Sequence, residues 1–213
     1  DDEAFGCGGL IAQAVRKNIE VNVVFLTTGQ DAHSQCCFVG REEVGRQRQI
    51  LALRATQILG VREECLYWLE GEDGYLPGRQ DASFDSMRDS LAEILQELQP
   101  AAIFCPHSSD MWADHICAEQ LTVAAISKSQ VGCTLFHYCV WFWLNLPLRE
   151  AFRLNWKTTK ILPVHDVFQV KKSAISQYLD SFAPCGSPWS GVPPQDFLRA
   201  FNWKKELFFK VFE

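Results

Sequence analysis

The chain has 213 residues, of which 47% are hydrophobic and 22% charged, and its formal net charge at pH 7 is −6. This length and balance predict one globular domain with a full core, and the negative charge argues against a nucleic acid partner, because phosphate binding needs a basic surface. The most apolar run, residues 133–148, is interrupted by His137 and Asn145 and is too short to span a bilayer, so no membrane span is expected.

Nine cysteines are present, and none of them forms a Cys-x-x-Cys pair. Because the number is odd and several lie within apolar patterns, we interpret them as small buried side chains. A disulfide framework or a cysteine zinc site would show paired spacings. The cysteines therefore predict a reducing compartment, and we expect a cytoplasmic location.

The first nine residues combine three acids, Asp1, Asp2 and Glu3, with glycines at positions 6, 8 and 9. A helical pattern of apolar residues begins at Leu10, so we expect the acids in a turn just before a helix N-terminus, where N–H groups are unpaired and the field is positive. Capping would explain one acid. Three acids, beside glycines that let backbone approach a ligand closely, predict a metal or anion site.

Strands and helices alternate after this stretch. Residues 21–27 form a near-continuous apolar run rich in β-branched side chains, which is typical of a strand buried on both faces. The polar loop 28–40 at its carboxyl end is expected to line a site. A helix is predicted over 41–59, where Arg48 falls on the apolar stripe. A structural ion pair and a substrate contact are both open for this inward guanidinium.

A short strand at 65–69 leads into an acidic loop, in which Asp73-Gly74 indicates a turn. The apolar stripe from Phe84 to Leu98 predicts the next helix. Two apolar segments, 135–144 and 151–156, are predicted as strands, and a helix is predicted over 170–182. A proline-rich loop at 184–194 then precedes a docked terminal element.

A second polar cluster follows the strand predicted at 101–105, and a helix over 113–127 comes directly after it. The cluster contains His107, Asp110, Asp114 and His115. Asp110 is either a helix N-cap or a functional residue, and His107 is interpreted as a solvated or hydrogen-bonded loop side chain. His33, His137 and His165 lie outside both clusters and are assigned no role. Since parallel strands present their carboxyl ends at one edge of a sheet, both clusters are expected to face that edge.

Together the clusters resemble the LmbE-like, or PIG-L-like, family of zinc-dependent N-acetylglucosaminyl deacetylases. The family's first motif is His-Pro-Asp-Asp-Glu followed by a Gly-Cys/Ser-Gly-Gly turn. Asp1-Asp2-Glu3 matches the last three positions of His-Pro-Asp-Asp-Glu. Its second motif, Asp-x-His-x-Asp-His, is matched by residues 110–115 with Trp112 in place of the first His. Weaker matches spread over most of the chain at Arg48, Ala55, Leu59, Gly60, Asp73, Gly74, Lys172, Ala174, Gly191 and Phe197.

The resemblance implies a Rossmann-like α/β fold, a three-layer sandwich with a mostly parallel sheet, formed by residues 1–213 as a single domain. The family's His-Pro and the strand before it do not occur, because the chain begins at Asp1. We therefore expect a domain truncated at its N-terminus, with the first strand missing. Such a chain is expected to bind zinc weakly and to have little activity by itself.

The resemblance also implies zinc-dependent hydrolysis of the N-acetyl group of a GlcNAc-type amino-sugar conjugate. Asp2 and His115 are the implied zinc ligands, with a third from the His that the family has two residues before Asp1. Asp1 is the implied general base, and Asp114 is the residue that orients the site. Arg48, Asp73 and Trp112 are expected to contact the substrate.

Trp112 leaves three interpretations open, because an indole has one N–H and cannot become cationic. In the first, Trp112 stabilises the oxyanion weakly in place of the family's His. In the second, zinc alone stabilises the oxyanion, and in the third, Trp112 is a platform on which a sugar stacks. A non-catalytic carbohydrate-binding relative is therefore the main alternative to the enzyme. A nucleotide-binding Rossmann protein fits less well, since the three acids would repel a pyrophosphate.

Overall fold

A computed structural model describes residues 1–33 and 38–212. Helices and strands alternate along most of these residues, as predicted for an α/β chain. The elements are α1 (Asp2–Arg16), β1 (Val23–Thr27), α2 (Arg41–Leu59), β2 (Leu66–Gly71), α3 (Phe84–Leu98), β3 (Ala102–Pro106), α4 (Ala113–Ser129), β4 (Thr134–Tyr138), α5 (Phe142–Asn145), α6 (Leu148–Ala151), β5 (Thr159–Pro163), α7 (Phe168–Leu179), α8 (Gln195–Ala200) and β6 (Lys205–Phe212).

The strands form two sheets. Strands β1 and β2 pair in parallel, with Val23 opposite Leu66. The other sheet has the order β3-β4-β6-β5, in which β3 and β4 are parallel and β6 runs antiparallel to β4. Each parallel pair is joined through a helix, α2 or α4, which is the usual crossover of an α/β fold. The prediction of an α/β fold with parallel strands is therefore confirmed, with β6 as an antiparallel addition.

The chain divides into two compact units. The first comprises Asp1–Asp73 and Pro163–Glu206, and the second comprises Gly74–Leu162 and Leu207–Glu213. Asp1, Asp2, Arg48 and Asp73 belong to the first unit, whereas Trp112, Asp114 and His115 belong to the second. The single truncated domain stays a prediction.

Helix α1 begins at Asp2 with Asp1 as its N-cap residue, so Asp2, Glu3 and the glycines of the first motif lie inside the helix. The expectation of a glycine-rich turn with a helix from Leu10 was wrong. The physical reason is packing: a Cβ atom on Gly9 would lie 2.4 Å from Val164 Cγ1, and one on Gly8 would lie 3.1 Å from Lys171 Cγ. Close packing at these positions outweighs the helix propensity of glycine, which is about 1 kcal/mol poorer than that of alanine.

Replacing Gly9 by alanine should therefore lower the free energy of unfolding by about 2 kcal/mol, although alanine is the better helix former. The new methyl group would overlap Val164 and would lie 2.9 Å from Glu206 Oε1. Urea unfolding followed by circular dichroism measures the effect. Gly132→Ala is the matched control, since a Cβ there meets no atom within 4 Å. A Gly9→Ala protein as stable as the unmodified protein would contradict the packing argument.

Helix α2 has the predicted bounds, and Val44, Leu51 and Ala55 of its stripe are buried. Ile58 differs, because it is 37% exposed. Strand β1 also differs from its prediction, since all five residues are partly exposed instead of buried on both faces. Within the described part of the chain β1 pairs with β2 alone, and a two-stranded sheet covers its strands less completely than a wide one.

In the second unit, the segments predicted as strands at 135–144 and 151–156 are mostly not strands. Strand β4 ends at Tyr138, helices α5 and α6 follow, and the strand after them is β5. Short apolar runs do not distinguish a strand from a helical turn, and here the aromatic residues pack as helical turns. Cys139, Phe142 and Phe209 form a buried cluster in this region. The predicted terminal element consists of α8 and β6.

None of the described helices combines the length and the hydropathy required to cross a membrane. Cys65, Cys105, Cys133 and Cys139 are buried thiols without disulfide bonds, as expected. Cys185 is exposed, because it lies in the loop 184–194 outside any apolar pattern. Cys36 and Cys37 lie outside the described residues.

Candidate functional site

A buried aspartate–histidine pair lies between β3 and α4. Strand β3 ends at Pro106, and a single 3-10 turn, Ser108–Asp110, directs the Asp110 side chain inward, where it is 0% exposed. Asp110 Oδ2 lies 2.8 Å from His115 Nδ1 and accepts hydrogen bonds from the N–H groups of Val140 and Trp141, each at 3.1 Å. One carboxylate oxygen thus fixes the imidazole and the backbone that follows β4.

The pair determines the tautomer of His115. A carboxylate that accepts this hydrogen bond favours the proton on Nδ1, and in the neutral ring the lone pair is then on Nε2. A histidine oriented through Nδ1 by a carboxylate is the usual arrangement of a metal-binding imidazole. Asp110 is not the N-cap of α4, which is Trp112. Sequence reasoning left the role of Asp110 open, and its position at the head of the second motif was the signal.

Asp114 contacts the backbone of the loop after β2. Its carboxylate accepts hydrogen bonds from Gly74 N at 2.7 Å and from Leu76 N at 3.1 Å. These bonds hold the loop to the first turn of α4. The orienting role predicted for Asp114 stays a prediction. The carboxylate that lies against Nδ1 of His115 is that of Asp110.

Trp112 belongs to an aromatic pair on the surface of the second unit. Its ring stacks on that of Trp141 with the centroids 5.2 Å apart and 12° between the planes. Trp112 is 47% exposed, and the adjacent Met111 is 56% exposed. Flat, half-exposed aromatic faces of this kind suit stacking against the apolar face of a sugar ring.

In the first unit, Arg48 is largely buried beside Asp1. The Arg48 side chain is 13% exposed, and Nη2 lies 3.6 Å from Asp1 Oδ2. Its Nη1 is buried with no hydrogen-bond partner among the described atoms. Gly29 makes room for the guanidinium, since a Cβ there would lie 2.1 Å from Arg48 Nε. Arg48 therefore forms an ion pair and retains a donor that a substrate oxygen would satisfy.

Asp73 closes the loop that follows β1. Its Oδ1 accepts a hydrogen bond from Thr27 Oγ1 at 3.2 Å, and its Oδ2 accepts one from Asp31 N at 2.9 Å. Asp73 and Gly74 form the predicted turn, and these hydrogen bonds join that turn to the loop after β1. The substrate contact stays a prediction. The loop 28–40, which was expected to line the site, includes residues 34–37, which lie outside the described residues.

Two neutral histidines pack together in the second unit. The rings of His107 and His137 have their centroids 5.0 Å apart, and His107 Nδ1 accepts a hydrogen bond from Ser109 N. Burial lowers the pKa of each ring to about 4. The neighbouring His137 further lowers the pKa of His107. The interpretation of His107 as hydrogen-bonded is correct, but the ring is buried rather than solvated.

These shifts predict acid sensitivity of the fold. Both imidazoles have folded-state pKa values below the ordinary 6.5, so the unfolded chain takes up protons first as the pH falls. Stability should be full above pH 6.5 and should decrease towards pH 4, by about 2 kcal/mol per ring between pH 7.5 and 5.0. Urea unfolding at the two pH values measures the loss.

His137→Phe should reduce the difference between the two pH values by about 2 kcal/mol, because it removes one titrating ring. His165→Asn is the control, since His165 is exposed and should leave the pH dependence unchanged. Equal pH dependence in His137→Phe and in the unmodified protein would rule out this source of acid sensitivity.

The donor set for a metal is incomplete among the described residues. Carboxylate and imidazole are ligand types that zinc takes, and the ligand roles of Asp2 and His115 stay predictions. However, residues 1–33 and 38–212 contain no group of three or more His, Cys, Asp or Glu side chains arranged to hold an ion.

Comparison with known proteins gives one family and several similar proteins. The family model described as PIG-L: GlcNAc-PI de-N-acetylase matches residues 1–126. Among curated proteins, 1D-myo-inositol 2-acetamido-2-deoxy-alpha-D-glucopyranoside deacetylase 1 of Saccharopolyspora erythraea is 28% identical over 163 residues, which is 64% of this chain and 54% of that protein. The chain thus spans about half the length of the curated relatives it matches.

Solved structures show the same fold. N,N'-diacetylchitobiose deacetylase from Pyrococcus horikoshii has a TM-score of 0.73 at 21% identity, covering 99% of this chain and 80% of that chain. GalB, the 4-carboxy-2-hydroxymuconate hydratase of Pseudomonas putida KT2440, has a TM-score of 0.71 at 18% identity, covering 100% and 92%. Since one is a deacetylase and the other a hydratase, the fold alone does not decide the reaction.

Proposed function

Because the chain belongs to the PIG-L family, whose model matches residues 1–126, we propose that it hydrolyses the N-acetyl group of a GlcNAc-type amino-sugar conjugate. The curated relative is by its name a deacetylase of an inositol-linked amino sugar, and this supports the same substrate class. The observation that carries the proposal is the buried Asp110–His115 pair, because a carboxylate that orients an imidazole is a feature of hydrolytic metal sites.

The proposed cofactor is zinc, with Asp2 and His115 as two of its ligands. The third ligand would be the His of the family's first motif, which precedes the position of Asp1. When bound, such an ion acidifies water and polarises a carbonyl. The Nδ1 contact with Asp110 holds the His115 ring for this role.

A cytoplasmic location also stays a prediction.

Asp1 is the proposed general base, which takes a proton from the attacking water and returns it to the leaving amine. Arg48 Nη2, 3.6 Å away, holds the Asp1 carboxylate in place. The unsatisfied Arg48 Nη1 is the proposed donor to a substrate oxygen. Trp112, stacked on Trp141, is the proposed platform for the sugar ring.

Acetate release from N-acetylglucosamine conjugates tests the activity. The full-length protein with zinc should release acetate, a chelator should abolish the release, and added zinc should restore it. His115→Ala should lower kcat/KM by about 100-fold or more, because it removes a ligand and an oriented ring. His165→Ala, which changes an exposed histidine, is the control. Absence of metal-dependent release by the full-length protein would end this proposal.

The stacked tryptophans favour one second candidate, a carbohydrate-binding protein without catalysis. Tryptophan fluorescence titration with the same conjugates separates the two functions. Binding that Trp112→Ala abolishes, without any acetate release, would establish the binding protein. Binding together with acetate release would establish the enzyme.

A further inference from the structure

We propose that Lys171, Tyr178 and Glu206 are positioning residues that hold α1 so that Asp1 and Asp2 are correctly placed. This inference rests on the proposed function, in which Asp1 and Asp2 do the chemistry. All of its contacts lie within the first unit of the chain. Positions 171, 174, 175 and 178 are buried on one face of α7, which packs on α1.

An ion pair is inserted against the middle of α1. Lys171 Nζ lies 2.5 Å from Glu206 Oε1, and both side chains are 2% exposed. Lys171 Nζ also donates to Phe5 O at 2.7 Å, while Glu206 accepts from Gly9 N at 2.7 Å and from Leu10 N at 2.8 Å. In a regular helix Gly9 N–H would donate to Phe5 O. Here Glu206 accepts from that N–H group, and Lys171 donates to that carbonyl oxygen.

The glycines of the first motif admit this pair. A Cβ on Gly9 would lie 2.9 Å from Glu206 Oε1, and a Cβ on Gly8 would lie 3.1 Å from Lys171 Cγ. Larger residues would displace the carboxylate and the lysine stem from the helix. The glycines therefore serve the contact between α1 and its buried partners, where the sequence had predicted the approach of a ligand.

A second contact holds α1 close to the acids themselves. Tyr178 donates from its hydroxyl to Glu3 Oε1 at 2.5 Å, and Tyr178 is 1% exposed. Glu3 follows Asp2 directly, and Tyr178 lies two turns beyond Lys171 on α7. Hydrogen bonds at Glu3 and at residues 5–10 fix both the rotation and the translation of α1. Apolar packing is not directional and would not fix the orientation of α1 in this way. Because a buried ion pair adds little stability over apolar side chains, its contribution here is to position the helix.

The decisive variant is Lys171→Met/Glu206→Met, which replaces the ion pair by apolar side chains of similar size and so removes both charges. Amide hydrogen exchange at residues 4–10 should become at least tenfold faster, with the melting temperature near that of the unmodified protein. The kcat for acetate release should fall at least tenfold while KM stays within twofold, because the reacting groups move and the sugar contacts do not. Tyr178→Phe, a smaller change, should act in the same direction on both readouts.

The exposed ion pair of α8 provides the control, as Asp196→Asn/Arg199→Met should change neither exchange in α1 nor kcat. Unchanged exchange at residues 4–10, or a raised KM with kcat intact, would overturn the positioning role. If the unmodified protein releases no acetate, the proposed function has failed separately. Exchange in α1 then decides the positioning role alone, with faster exchange supporting it and unchanged exchange refuting it.

Discussion

Asp110→Ala should lower the free energy of unfolding by about 4 kcal/mol, because three buried donors lose the same acceptor and each such loss costs about 1–3 kcal/mol. The donors are His115 Nδ1 and the N–H groups of Val140 and Trp141. A loss of about 4 kcal/mol is about a quarter or more of the 5–15 kcal/mol that stabilises an ordinary domain. Because the His115 ring also loses its orientation, kcat/KM for acetate release should fall by about 100-fold.

Urea unfolding and acetate release measure the two effects of this substitution. Asp110→Asn can place its amide oxygen where Oδ2 lies and its NH2 group where Oδ1 lies, a buried position without a hydrogen-bond partner among the described atoms, so it should be destabilised less than Asp110→Ala. Asp196→Ala is the matched control, since that side chain is 69% exposed and its pairing with Arg199 contributes little. An Asp110→Ala protein with full stability would show that this carboxylate is not the acceptor that the three donors share.

Lys171→Met alone should be more harmful than the change of both partners. The single substitution leaves the Glu206 carboxylate buried without its cation, which costs about 3–5 kcal/mol. Lys171→Met/Glu206→Met removes the charge as well, so the double variant should be within about 2 kcal/mol of the unmodified protein. The two substitutions are therefore expected to be strongly non-additive, with a coupling above about 2 kcal/mol.

A double-mutant cycle by urea unfolding measures this coupling. It requires the single variants Lys171→Met and Glu206→Met together with the double variant. The same cycle on Asp196 and Arg199, an exposed pair at 2.8 Å, should give a coupling below about 0.5 kcal/mol. Additive effects at Lys171 and Glu206 would mean that solvent screens the pair, contrary to its burial.

Periodicity located the long elements well. The bounds of α2 and α3 are those predicted, and α4 differs only at its end. These helices have regular apolar stripes, and such stripes are produced by the same 3.6-residue period that the backbone imposes. The inward position of Arg48 was also correct, as its low exposure shows. Periodicity failed at residues 135–156, where short aromatic runs satisfy strands and helical turns equally.

The sequence alone determined the alternation of helices and strands, the family and the two polar clusters, because local periods and short motifs are written in consecutive residues. Only the tertiary structure decided what the clusters contact. Gly9 and Glu206 are 197 positions apart, and Asp110 and Val140 are 30 apart. No local pattern encodes such partners, since burial and hydrogen bonding depend on which elements pack together. Packing therefore placed the glycines inside α1 and made Asp110 the partner of His115.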